Sequence, residues 1–147
     1  MNAFAAQTRV RPADVAIQLA VVALALATGY IHSTLGGLLF TLNAIGYVVL
    51  ASAQVVPLGP LGNFRWVARL ALAGYAMTTI VGWAIQGPYY TTAYVAKAIE
   101  VTLISLVAVE VFRLDGGPAG IVARIKATLA IVAGLFTGRS ARGAANA

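Results

Sequence analysis

Four apolar runs of roughly 20 residues, each closed by glycine or proline, organise this chain. The first covers residues 14–33 and stops at Gly36-Gly37. The second covers 38–56 and stops at Pro57-Leu58-Gly59-Pro60-Leu61-Gly62-Asn63. The third covers 64–86 and turns at Gly87-Pro88, and the fourth covers 91–112 and ends in Arg113, Asp115, Gly116, Gly117 and Pro118. As helices rising ~1.5 Å per residue, such runs match a hydrocarbon layer ~30 Å thick. The pattern predicts an all-α fold: an integral membrane four-helix bundle, one transmembrane domain over residues 1–147. Short connections make consecutive helices antiparallel. Pro12 and Asp14 suit the first turn of the first helix, and Asn63 suits the cap of the third.

The segment 118–137 breaks the pattern, because Arg124 and Lys126 divide it and leave only Ala127 to Thr137 uninterrupted. That is too short to cross a bilayer. On a helical wheel Ile121, Val122, Ile125, Leu129, Val132 and Phe136 share a face, with Ala130 and Lys126 away from it. The expectation is a C-terminal amphipathic interfacial helix followed by a flexible basic tail, 138–147. Arg124, Lys126, Arg139 and Arg142 would then contact anionic lipid headgroups. A fifth span is the alternative, since basic side chains near a span's end can snorkel.

Composition supports lipid as the solvent. Hydrophobic residues are 61% of the chain and charged residues 10%, against ~25% charged in an average soluble domain. The net charge of +6 would suggest nucleic acid for a soluble protein. Here the charges flank apolar runs without interleaved aromatics, so they signal topology and headgroups, and no nucleic-acid partner is expected. Cysteine is absent, which removes disulfides, thiolate nucleophiles, zinc-thiolate sites and iron–sulfur clusters from within the chain.

Charge and span parity agree. Arg9, Arg11, Arg65, Arg69, Arg113, Arg124, Lys126, Arg139 and Arg142 fall on one side of a four-span arrangement, and the two opposite connections hold no Lys or Arg. The positive-inside rule then places both termini in the cytoplasm. A rival for the beginning is a cleaved signal peptide, residues 1–27, with a basic lead, an apolar core and Ala25-Leu26-Ala27. The apolar stretch continues past that site to Tyr30, which speaks for a span.

The tenth basic residue, Lys97, lies inside the fourth run with Glu100 one helical turn away. Charges in hydrocarbon are costly; they mark either a buried pair that fixes helix packing or a protonatable site on a proton, ion or substrate path. Depth counting brings Asn43 and Tyr47 of the second run and Tyr75, Thr78 and Thr79 of the third to the level of Lys97 and Glu100. His32 and Tyr30 lie at the same end of the first. Lys97, Glu100, Asn43, Tyr47, Tyr75, Thr78, Thr79 and His32 are therefore the candidate intramembrane polar site. The plainer reading is separate hydrogen bonds between helices. The other half of the bundle has Gln18 and Gln54 as its main amides.

His32 is the only histidine, so a haem or metal site would need its second ligand from elsewhere; no metal and no cofactor are expected. Glu110 can pair with Arg113 one turn on. Gly29, Gly46, Gly74 and Gly82 allow close helix contact and possible homo-oligomers. No phosphate loop, His-Glu metal helix or nucleophile elbow is present, so nothing indicates catalysis.

Gly29-Tyr30-Ile31-His32-Ser33-Thr34-Leu35 echoes Gly74-Tyr75-Ala76-Met77-Thr78-Thr79-Ile80, as duplicated hairpins would. The run from His32 through Leu38 and Asn43 to Tyr47, with Ala96-Lys97-Ala98-Ile99-Glu100, resembles small four-span bacterial membrane proteins. That resemblance implies a four-helix fold in a bacterial inner membrane and an interest in the Lys-x-x-Glu pair, and it supplies no activity. A looser similarity to DoxX-type four-helix proteins rests on size and span count. Three functions follow as expectations. The first is a non-enzymatic accessory or assembly component of a membrane complex or homo-oligomer. The second is a small transporter or ion-conducting protein using Lys97 and Glu100. The third is a membrane redox protein holding haem or quinone near His32 or Tyr75.

Overall fold

Two glycine pairs in left-handed backbone punctuate the chain: Gly36 and Gly37, with φ of 71° and 85°, and Gly116 and Gly117, with φ of 78° and 68°. Residues with a Cβ rarely adopt this conformation, so each pair is a sharp stop between helices. The computed structural model describes residues 11–56 and 64–136. Its helices are α1 (Pro12–Thr34), α2 (Leu38–Val55), α3 (Arg65–Gln86), α4 (Thr91–Leu114) and α5 (Gly117–Phe136). Asn63, expected to cap α3, lies outside the described residues; Phe64 holds the N-cap position without a side-chain bond.

Hydrogen bonds fix the up-and-down arrangement. Arg113 at the end of α4 binds Asp14 at the start of α1 through Nε and Nη2, at 2.8 and 2.7 Å. Gln18 Nε2 near the start of α1 donates to the Gln54 carbonyl at the end of α2, at 2.6 Å. Arg69 near the start of α3 donates to Asp115 just past α4, at 2.9 Å. These ends make one face of the bundle, the arginine end; Gly36-Gly37 and Gly87-Pro88 make the other. Around the bundle α1 packs on α2 and α4, and α3 packs on α2 and α4.

Buried positions follow a seven-residue seam. On α4 they include Ala93, Ala96, Glu100, Leu103, Val107 and Glu110, alternately three and four residues apart. On α1 they include Val21, Ala25, Thr28 and His32, and on α2 Ala44, Tyr47, Ala51 and Gln54. This period keeps one stripe inward along near-parallel helices. Small seam residues bring backbones close: a Cβ on Gly29 would lie 3.2 Å from the Cβ of Tyr47. Leu103 and Val107 form a dry middle with Val21, Ala25, Ala51, Leu72 and Ala76. Polar seam residues occupy the layers above and below it.

The outside is as apolar as the inside. Leu38 and Leu39 are each 75% exposed, Ile85 71% and Phe112 65%, an apolar surface of a kind that water-soluble monomers rarely carry. Four helices are long and apolar enough to cross a membrane: α1, α2, α3 and, within α5, Gly117–Gly134. This differs from the expected set, which had the fourth run and not the C-terminal one. α4 carries the buried Lys97, Glu100 and Glu110 and lies between α1 and α3 with those groups turned inward. α5 packs on α4 near the Gly116-Gly117 turn, where Ile121 joins the core, and beyond Ile121 none of its described side chains is buried.

Candidate functional site

Seam geometry places Glu100 at the centre of the layer nearest the arginine-free end. Its side chain has no exposed surface. Thr28 Oγ1 from α1 donates to Oε1 at 3.0 Å. Thr79 Oγ1 from α3 donates to Oε2 at 2.8 Å, and Lys97 Nζ, one turn back on α4, donates to the same oxygen at 2.7 Å. From α2, the Tyr47 hydroxyl lies 3.0 Å from Thr79 Oγ1, and because Thr79 has one proton to give, Tyr47 donates when Thr79 serves Glu100. Thr79 Oγ1 also lies 2.8 Å from the Ala76 carbonyl. Its hydroxyl therefore has two acceptors to choose between, one of which is the carboxylate.

His32 completes the layer. Its Nδ1 donates to the Thr28 carbonyl at 2.8 Å, which fixes the proton on that nitrogen. Nε2 then faces Glu100 Oε1 at 3.8 Å. Nε2 is held inside the buried cluster beside that carboxylate, beyond hydrogen-bond distance of it. Among the described residues no group of three or more His, Cys, Asp or Glu could hold a metal ion.

Above this layer a cavity of about 460 Å³ opens at the arginine-free end, within the ~300–1,000 Å³ range of small-molecule sites. Its walls are mostly apolar and aromatic, with Leu39, Phe40, Trp83 and Tyr90 among them, and Lys97, His32, Asn43, Thr78 and Thr79 supply polar groups. Lys97 is the charged group it meets. Glu100 is the one partner found for the Lys97 ammonium among the described residues, so two of its three N–H donors are available to the cavity. Tyr75, 5.0 Å from Tyr47 in an edge-on ring contact, donates to the Asn43 carbonyl at 3.2 Å. Gly46 makes this possible, because a Cβ there would collide with the Tyr75 hydroxyl. At the rim Trp83 Nε1 donates to the Pro88 carbonyl at 2.9 Å.

The structure thus brings together the eight residues expected at this level. Six of them (His32, Asn43, Tyr75, Thr78, Thr79 and Lys97) line the cavity, and Tyr47 and Glu100 lie behind its wall. Asn43 serves Tyr75 through its backbone, and Thr78 donates to the Gly74 carbonyl. The echoed segments do not play matching parts: Thr79 binds Glu100, whereas Thr34 is exposed and binds the Ile31 carbonyl.

A second ionic layer closes the arginine end. Arg69 lies 3.6 Å from Glu110 and 2.9 Å from Asp115, and Arg124 of α5 lies 3.6 Å from Asp115. Glu110 was expected to pair with Arg113. Instead it turns inward to Arg69, because Arg113 reaches Asp14 on α1. Arg124, expected at headgroups, stands beside Asp115, partly exposed; Lys126 is exposed; Arg139 and Arg142 lie outside the described residues. Thr28, Arg69 and Asp115 were missed from sequence. For Thr28 the one available signal was its place on the seven-residue seam of α1.

No family model, curated protein or solved structure matches the chain. Its chemistry is argued from the arrangement of its own residues.

Proposed function

We propose that this chain is a multi-pass membrane binding protein whose cavity takes up one small amphipathic molecule from the arginine-free, outward side. The observation that carries this reading is the pairing of one apolar, aromatic-walled cavity with a lysine ammonium holding spare donors. Pockets with apolar walls and a few convergent polar groups are the usual form of small-molecule sites. Both termini are cytoplasmic in this reading, because every described arginine gathers at the opposite end. The cavity is then the outward-open state of the small-transporter alternative. Passage to the other side requires the plug around Leu103 and Val107 to part. The accessory-component reading draws on the exposed apolar side chains of α5, which lipid covers equally well. A haem reading would have to draw His32, the chain's only histidine, out of the buried cluster beside Glu100.

Gly82 supplies the test. It lines the cavity, and a Cβ there meets nothing within 4 Å, so a bulky side chain can be introduced at this wall without a Cβ clash, and Gly82→Trp is the variant chosen to occlude the space. Wild type and variant, purified in mild detergent, are extracted with organic solvent and the extracts compared by mass spectrometry. The expected result is an amphipathic molecule retained by the wild type and lost from Gly82→Trp. Identical extracts from the two proteins would overturn the proposal.

A further inference from the structure

From the charges of this site we infer that the ligand is a small organic acid, an apolar body bearing one carboxylate, and that it binds together with one proton. The inference rests on the binding reading above and deepens it. Lys97 and Glu100 form a neutral pair, with the ammonium between the cavity and the carboxylate. Glu100 is fully buried, and Lys97 is the member that reaches the cavity. An acid fits by its two parts: Phe40, Trp83 and Tyr90 offer the body an apolar wall, and Lys97 offers the carboxylate a charge-assisted hydrogen bond.

Adding an anion to a neutral buried pair leaves one uncompensated negative charge in a low-dielectric layer, which is costly. The cluster is built to remove it. Lys97 turns its N–H from Glu100 Oε2 to the ligand carboxylate, and Glu100 takes up one proton drawn from the bulk solvent by way of the cavity. The site is then Lys97 cation, ligand anion and neutral Glu100, and its net charge is unchanged. Thr79 accommodates the step. Its hydroxyl turns to the Ala76 carbonyl at 2.8 Å and presents a lone pair to the new Glu100 O–H. His32 Nε2, 3.8 Å from Oε1, faces the same carboxyl from α1. The other titratable groups acting on Glu100 are Tyr47 of α2 and Tyr75 of α3, with Lys97 on α4 itself. None of these supplies a second carboxylate, so Glu100 is the group that takes the proton.

Titration calorimetry on the full-length protein in lipid nanodiscs tests this, with benzoate and octanoate as probes and benzamide and octanamide as neutral counterparts. Each titration is run in two buffers of different protonation heat, which counts protons directly. The acids are expected to bind with uptake of about one proton, and their Kd to rise about tenfold per pH unit. The amides are expected to bind at least about tenfold more weakly, and Gly82→Trp to abolish binding of both classes. Glu100→Gln removes the proton uptake and with it the pH dependence of acid binding. The wild-type proton count stands alone if that variant fails to fold. Amides binding as tightly as acids, or acids binding with no proton uptake, overturn the inference while the cavity reading survives. If neither class binds and no molecule co-purifies, both readings fall.

Discussion

Thr28 on α1 donates to Glu100 on α4 at 3.0 Å, joining two helices 72 residues apart in the chain. The bond ends on a carboxylate with no exposed surface, so water cannot replace it. Thr28→Val keeps the shape and removes the hydroxyl. A hydrogen bond to a charged group is worth about 1.5–3 kcal/mol, so thermal unfolding in detergent, followed by circular dichroism, should show that loss. Thr79→Val should behave similarly, with the added loss of the Tyr47 contact. Wild-type stability in both variants would mean that these hydroxyls do not serve Glu100.

Lys97 and Glu100 should respond unequally to substitution. Removing one partner of a buried ion pair costs about 3–5 kcal/mol, because the other charge is left unpaired. Lys97 lines an open cavity and can be hydrated there, whereas Glu100 cannot. Lys97→Met should therefore lower the melting temperature more than Glu100→Gln, and the double variant should recover part of the difference. A double-mutant cycle measures this coupling. Additive losses would show that the two side chains act independently.

Helix positions were legible in the chain because glycine and proline mark every break: α1 to α5 fall within two residues of the apolar runs. The level of the polar residues was legible too, since depth along a helix is residue count times rise. Facing was harder. Arg69 counted only as one of the charges that set topology, because its partners, Glu110 and Asp115, come from another helix. Glu110 looked like the local partner of Arg113, because spacing alone cannot show that Arg113 reaches Asp14 across the bundle. Thr28 stood in an apolar run, and only its place on the seam with Val21, Ala25 and His32 could have singled it out. The position of Lys97 between Glu100 and open space belongs to no single segment, so the cavity could not be foreseen from periodicity.

Arg69 holds two acidic groups at once: Nη1 meets Asp115 at 2.9 Å and Nε approaches Glu110 at 3.6 Å. Both acids are buried. Arg69→Met should cost about 3–5 kcal/mol, since it leaves neighbouring buried carboxylates without their shared cation. Arg69→Lys should recover only part, because a point charge cannot span both groups as the planar fork does. Asp115→Asn should weaken the tie to Arg124, and proteolysis near the Gly116-Gly117 turn should speed up. Equal cleavage rates would show that this ion pair does not hold α5 at the bundle.

The last prediction concerns which helices cross the bilayer. By length and hydropathy α5 could span as well as α1, α2 and α3, and a crossing α5 would carry the C-terminus to the outer side. Its charges argue for the surface. Arg124 stays at the arginine end beside Asp115. Lys126 is nine residues past Gly117, so a crossing helix would carry it ~14 Å deep, close to the centre of a ~30 Å layer. No ion-pair or hydrogen-bond partner for it is found among the described residues, and such a charge costs about 2.5–3.5 kcal/mol even on the scale most lenient to it. α4 carries buried charges as well, but each has a partner inside the bundle. The absence of cysteine makes single-cysteine labelling clean. In intact cells a membrane-impermeant maleimide should modify Ser33→Cys and Thr91→Cys at the arginine-free end, and should reach Ala119→Cys and Ala147→Cys only after the membrane is opened. Modification of Ala147→Cys from outside, with Ala119→Cys still protected, would make α5 a fifth span and put the two ends of the chain on opposite sides.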